Sequence, residues 1–301
     1  MENIINEIKT QKIGKVIENI LMKDYTTYKV GGKVRVMVYP RNEEKLIELM
    51  KIIKKYNLKY KVIGNGSNVI FSDKDYDGII IKLDNFDYFD IIDTVVTVGA
   101  GYNLMKLAIN VSRRGLSGLE FATGIPGTVG GAVYMNAGAY KSDMGYIVSR
   151  VKVLTPDLEI KYLYNRDLDF HYRSSFFQKN PGYICLEATI VLREGNRDEI
   201  MDIIADRKQR RLLSQPLEYP SAGSVFRNPE NDFAGHLIEE CGLKGLKIGG
   251  AMVSAKHANF IINVGGATAD DVRQLIEMVK DIVKEKYNVE LKVEQEFVNW
   301  E

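Results

Sequence analysis

The reading of this chain turns on the segment Gly124-Ile125-Pro126-Gly127-Thr128-Val129-Gly130-Gly131-Ala132, with Asn136-Ala137-Gly138 close behind it. Glycines lack a Cβ, so backbone N–H groups in such a stretch can converge on phosphate oxygens, as a concave turn or at a helix N-terminus. That arrangement suits a pyrophosphate without calling on positive side chains. The second reading is a helix or turn whose glycines only allow close backbone contact. A nucleoside-triphosphate P-loop is excluded, because no Gly-Lys-Ser or Gly-Lys-Thr ends the segment.

Working outward, a second glycine turn, Gly64-Asn65-Gly66-Ser67-Asn68, lies between apolar runs at 60–63 and 69–71. The pattern is strand, tight turn, strand. A Rossmann fingerprint needs a third glycine and a following helix, and neither is present here. Asn42 and Asn103 are N-cap residues for helices with apolar faces at Leu46, Leu49, Met50 and Ile53, and at Leu104, Leu107, Ala108 and Val111. Gly115 stops the second helix. Short β-branched runs at 78–83, 94–98, 148–154, 159–164 and 183–192 read as strands.

A polar helix over 198–213 leads into a Pro- and Ser-rich loop at 215–221. Beyond it, Thr268 with Asp271 forms a capping box for a helix burying Val272, Leu275, Ile276, Val279 and Ile282. A last strand is expected where Val289, Leu291 and Val293 alternate with Glu290, Lys292 and Glu294, which puts Glu294 on its polar face.

Composition narrows the function classes. The 41 Lys plus Arg nearly balance 40 Asp plus Glu, so no global field favours nucleic acid or an anionic membrane. The first 15 residues lack the apolar core of a signal peptide and no run is long enough to span a bilayer, so a cytoplasmic protein is expected. Cys185 and Cys241 are far apart, and His171, His236 and His257 have no metal-ligand spacing, so neither a disulfide scaffold nor a metal site is expected. Acid chemistry must then rest on Ser, Glu, Arg, Lys or Tyr, or on a cofactor.

Several motifs in one order resemble the UDP-N-acetylenolpyruvoylglucosamine reductase family, of the vanillyl-alcohol oxidase and PCMH flavoprotein group. They are Tyr25-Thr26-Thr27-Tyr28-Lys29-Val30-Gly31-Gly32, the Gly64 and Gly124 segments, His171-Tyr172-Arg173-Ser174-Ser175, Ser221 to Pro229, His257 to Asn263, and Leu291 to Glu294. Together they cover nearly the whole chain. The short interval from Arg173 to Glu187 leaves no room for the extra tyrosine-bearing loop of longer members, so the chain resembles the shorter type.

The resemblance implies an α+β fold: an FAD-binding domain over 1–196, in subdomains of about 1–83 and 84–196, and a substrate-binding domain over 197–301. FAD is expected between the two subdomains, with its ring facing Arg173, Ser224 and Glu294. FAD and NADPH are the implied cofactors, with UDP-N-acetylglucosamine enolpyruvate as substrate, in a bacterial monomer making cell-wall precursor. Arg173 is the implied carboxylate clamp, Ser224 the proton donor and Glu294 a group that holds or polarises the same intermediate. Serine is a weak acid, so a nearby positive charge or a water chain must support it.

FAD contacts are expected from Gly64, Asn65, Gly66, Ser67, Asn68, Gly124, Ile125, Pro126, Gly127, Thr128, Gly130, Gly131, Ala132, Gly138 and Arg211. Asn228 and Tyr172 are expected on the substrate, and His257 is read as structural. The rest of the basic run 207–211 reads as a solvated helix face. Two alternatives stay open at this point: a flavin-dependent sugar or alcohol oxidase of the same fold, and a non-enzymatic nucleotide-sugar or flavin-binding protein.

Overall fold

Asn42 Oδ1 accepts the Lys45 N–H at 3.0 Å, and Asn103 Oδ1 accepts that of Lys106 at 2.9 Å. Each asparagine thereby satisfies a donor left over at a helix start. The computed structural model describes residues 1–300. Those caps open α2, Glu43–Lys55, and α3, Leu104–Ser112. An earlier helix, α1, Glu2–Thr10, buries Ile4, Ile5 and Ile8 on one face. The sequence reading did not anticipate α1, because its isoleucines sit among charged residues.

The described chain forms two compact units. The first comprises Met1–Glu18, Val36–Asn65 and Gly78–Gln209. Within it, parts of Gly14–Leu21, Lys33–Pro40 and Tyr76–Lys82 lie with Lys59–Ile63 in a four-stranded sheet, in that order. Lys59–Ile63 runs parallel to its neighbour, in register from Lys59 opposite Gly78 to Ile63 opposite Lys82. A five-stranded antiparallel sheet follows the order Ile160–Tyr164, Val148–Leu154, Ile184–Val191, Val95–Gly99, Phe89–Ile92.

One hydrophobic cluster joins Leu46, Leu49 and Ile53 of α2, Val96 and Val98 of the second sheet, and Leu107 and Val111 of α3. The regions expected as two subdomains, 1–83 and 84–196, thus contribute to a common core in this unit. Two further helices lie in it: α4, Val129–Met135, inside the glycine segment, and α5, Phe176–Lys179, just after Arg173.

The second unit comprises Asn19–Arg35, Gly66–Asp77 and Arg210–Glu301. The helix expected over 198–213 is α6, Arg197–Ser214. A short antiparallel sheet, Lys247–Ile248, Ala251–Val253 and Ile261–Asn263, is covered by α8, Ala269–Tyr287, with α7, Ala234–Glu240, against α8. The capping box forms as expected: Thr268 Oγ1 accepts the Asp271 N–H at 3.0 Å, and Asp271 accepts that of Thr268 at 2.9 Å. Such a box contributes about 1 kcal/mol to the helix. Val272, Leu275, Ile276 and Val279 are buried, with Val283 more completely covered than Ile282.

The expected last strand is corrected. Regular pairing occurs at Glu296–Val298, parallel to Val69–Phe71, rather than over 289–294. Residues 292–294 are extended, but their partner is the short stretch 225–227, and the pairing reduces to an isolated bridge between Phe226 and Val293. Alternation of side chains survives, with Leu291 buried and Glu290 and Lys292 exposed.

Candidate active site

In the first unit, Tyr172 and Arg173 form the two-residue tip of a tight turn. His171 and Ser174 close it by exchanging backbone N–H···O bonds, both at 3.0 Å. Arg173 sits in the left-handed region, at φ 55°. For a residue with a Cβ that conformation costs on the order of 1 kcal/mol and persists only where its surroundings impose it.

Those surroundings are specific. Asn136, 1% exposed and itself left-handed at φ 44°, caps the end of α4. Its side chain donates to the His171 carbonyl at 2.8 Å and accepts the Gly145 N–H at 2.8 Å. Ser175, fully buried, donates its hydroxyl to the Tyr134 carbonyl at 2.7 Å. The Arg173 guanidinium donates to the Gly138 carbonyl at 2.7 Å and lies 5.1 Å from the centre of the Tyr172 ring. Beside the turn, Lys179 first and then His171 hold the Asp169 carboxyl below its ordinary range.

The glycine segment shows the close backbone contact of its second reading. Gly130 is required by close approach, since a Cβ there would lie 2.9 Å from the Cβ of Ala100. The N–H groups of Val129 and Gly130 donate to the carbonyls of Tyr102 and Ala100, at 2.9 and 2.8 Å. Gly131 N–H goes to Thr128 Oγ1 and Ala132 N–H to the Thr128 carbonyl, at 3.3 and 2.9 Å. The first amides of α4 are therefore occupied within the protein, and a phosphate contact from this segment falls to its other atoms.

The Gly64 turn presents donors more openly. A trans peptide holds its C=O and N–H antiparallel, and no cis peptide occurs among the described residues. In the first unit, Lys82 Nζ donates to the Gly64 carbonyl at 2.9 Å, which directs the Asn65 N–H the other way. In the second unit, Thr27 N–H donates to the Gly66 carbonyl at 3.1 Å, which does the same for the Ser67 N–H. Neither N–H has a hydrogen-bond partner among the described residues. Fixed amides of this kind fit the phosphate oxygens of a dinucleotide cofactor. Glu120, in the turn leading into Gly124, accepts the Gly118 N–H at 2.9 Å and leaves its buried Oε1 unpartnered, an acceptor suited to a cofactor hydroxyl or ring N–H.

In the second unit, Glu294 pairs through its backbone with Val225, the residue after Ser224. Glu294 N–H donates to the Val225 carbonyl at 2.8 Å and Arg227 N–H to the Lys292 carbonyl at 2.9 Å. Asn259 pins the same stretch, accepting the Phe226 N–H at 2.9 Å and donating to the Phe226 carbonyl at 2.8 Å from a buried side chain. Ser224 and Glu294 are each half-buried. Asn228 Oδ1 accepts the Ala234 N–H at 3.1 Å, so that residue also serves the start of α7.

Arg211 lies in the last turn of α6. Arg207, read as solvated, instead stacks on Tyr140 with Cζ 4.6 Å from the ring centre. His257 behaves structurally: burial, then the Lys244 cation, lower its pKa, and its Nδ1 accepts the Asn259 N–H at 3.2 Å. Sequence reasoning missed Asn136, Lys82 and Gln295, amide and amine side chains whose partners are backbone carbonyls distant in sequence. No group of ligands for a metal ion occurs among the described residues, and no helix is long and apolar enough to cross a membrane.

A family model described as an FAD binding domain matches residues 34–162. This defines the chain as an FAD-binding protein. A model of the UDP-N-acetylenolpyruvoylglucosamine reductase C-terminal domain matches residues 215–298. The reductase of that name from Anoxybacillus flavithermus is 48% identical over 299 residues, covering 99% of each chain. The crystal structure of the reductase from Thermus caldophilus aligns with a TM-score of 0.82 at 37% identity, covering 94% of this chain and 98% of that one. A glucose dehydrogenase, Phl p 4.0202, shares the fold alone, at 10% identity and a TM-score of 0.51 over 65% of this chain and 44% of its own. The chain belongs to the UDP-N-acetylenolpyruvoylglucosamine reductase family.

Proposed function

We propose that this protein reduces UDP-N-acetylglucosamine enolpyruvate to UDP-N-acetylmuramate with electrons from NADPH, as a monomer in the bacterial cytoplasm supplying peptidoglycan precursor. The observation that supports this reading is the pairing of 225–227 with 292–294, which ties Glu294 to Val225, the residue after Ser224, in a chain of this family.

FAD, when bound, supplies the hydride relay from NADPH to C3 of the enolpyruvyl group. The chain's own groups then have defined tasks. Hydride addition leaves negative charge that spreads from C2 onto the substrate carboxylate. The Arg173 guanidinium takes that carboxylate two-pronged and stabilises the charge as it grows. The Ser224 hydroxyl gives its proton to C2 and recovers one from solvent, completing the lactyl ether. Glu294 holds or polarises the same intermediate. Asn228 and Tyr172 contact the nucleotide-sugar portion. Gly64 to Asn68, Gly124 to Thr128 and Gly130 to Ala132, with Gly138 and Arg211, would hold FAD.

Anaerobic incubation with NADPH and the enolpyruvyl sugar tests the reading. UDP-N-acetylmuramate should form in proportion to NADPH consumed. NADPH oxidation that proceeds equally without the sugar would reject it.

A further inference from the structure

Gln295 follows Glu294 directly, yet its side chain is buried, at 3% exposure, and turned toward the serine. Its Nε2 donates to three successive carbonyls, those of Ala222, Gly223 and Ser224, at 3.1, 3.3 and 3.4 Å. A side-chain amide so placed gathers the carbonyls of one turn on a single side. The antiparallel geometry of the trans peptide then dictates where the N–H groups go. Those of Gly223 and Ser224 face away from Gln295, while that of Val225 is taken by the Asn259 carbonyl at 2.9 Å.

Neither the Gly223 nor the Ser224 N–H has a partner among the described residues. Gly223 holds the turn at φ +76°, and a Cβ on it would meet no heavy atom within 4 Å, so the outer face of the turn has room beside it.

We infer that Gln295 is a positioning residue, which locks the 222–224 turn so that the amides of Gly223 and Ser224 form a paired donor site for an anionic oxygen of the substrate. Two backbone N–H groups fixed side by side, needing no reorganisation as charge develops, are the physical device of an oxyanion hole. The source of the anion is either the carboxylate or the diphosphate. The inference rests on Ser224 being the proton donor, because it places the donor pair at the residue from which the proton leaves.

The holoenzyme, labelled with 15N at glycine and serine, separates the outcomes. Titration with UDP-N-acetylmuramate should move the Gly223 and Ser224 amide protons downfield. If UDP-N-acetylglucosamine moves them as well, the diphosphate is the ligand; if it does not, the carboxylate is. No shift with either compound overturns the donor pair.

Gln295→Met keeps the volume and removes the donor. It should abolish those shifts and slow reoxidation of the reduced enzyme by the enolpyruvyl sugar by roughly 10-fold to 100-fold, with reduction by NADPH within twofold of the parent. Unchanged shifts and rates would reject Gln295. Should Gln295→Met fail to fold, Gly223→Ala distorts the same turn through its positive φ and should reproduce the same split. A Ser224→Ala protein as fast as the parent would instead remove the proton-donor reading, and the amide shifts would still decide the donor pair.

Discussion

The Glu294 N–H donates to the carbonyl of Val225 at 2.8 Å, which ties the carboxylate-bearing residue to the peptide that follows Ser224. Their spacing is set by backbone pairing rather than by the reach of flexible side chains, and Asn259 and Gln295 hold the same stretch from buried positions. This fixed frame suits the proton-donor role proposed for Ser224.

Ser224→Ala is therefore expected to slow reoxidation of the reduced enzyme by the enolpyruvyl sugar by roughly 100-fold to 10,000-fold, the contribution of a lost general acid. Reduction by NADPH should be nearly unchanged in stopped-flow traces. Equal slowing of both half-reactions would take the acid role from Ser224.

Arg173→Lys keeps the charge and loses the fork. An ammonium cannot reproduce a two-pronged carboxylate contact, so reoxidation by substrate should slow by roughly 10-fold or more. The change removes neither Asn136 nor Ser175 from the turn, so urea denaturation should give a midpoint close to the parent's. Rates equal to the parent's would discard the clamp.

Much of the local structure was legible because it is decided locally. Asn42, Asn103 and the Thr268 and Asp271 pair are caps whose partners lie within three residues, and each forms the bond its position suggests. What was not legible depends on distant partners. The alternation over 289–294 read as a strand, but its partner 225–227 is too short to continue it. The inclusion of Asn19–Arg35 and Gly66–Asp77 with Arg210–Glu301 follows from pairings such as Glu296–Val298 on Val69–Phe71, which no linear reading locates. At the site, the glycines of 124–131 announced close backbone approach, but not that Ala100 and Tyr102 occupy the first amides of α4. The roles of Arg173, Ser224 and Glu294 came from resemblance; their supports, Asn136 and Gln295, carried no signal beyond being amides beside motif residues.

Asn136 supports the Arg173 turn at a measurable cost when lost. Asn136→Ala strands the His171 carbonyl and the Gly145 N–H and keeps a strained left-handed residue, so it should cost about 3 kcal/mol in urea denaturation. Asn136→Gly relieves the backbone and should be about 1 kcal/mol less damaging. Equal losses would show that the left-handed cap carries no strain.

His257 makes stability depend on pH. Burial, then Lys244, lower its pKa in the folded protein below the unfolded value of about 6.5. Its contribution is complete above that unfolded value and is lost as pH falls from about 6.5 through the lower folded value, because the unfolded chain binds the proton first. The urea midpoint of the parent should fall over that window, and His257→Gln should flatten the slope. An unchanged slope would place the titrating group elsewhere.

The most direct measurement is anaerobic stopped-flow absorbance of the FAD-loaded protein, reduced with NADPH and then mixed with UDP-N-acetylglucosamine enolpyruvate or, separately, with oxygen. The sugar should restore the oxidised flavin spectrum rapidly with formation of UDP-N-acetylmuramate, and oxygen should do so far more slowly. A reduced enzyme that oxygen reoxidises and the sugar leaves untouched would contradict the assignment.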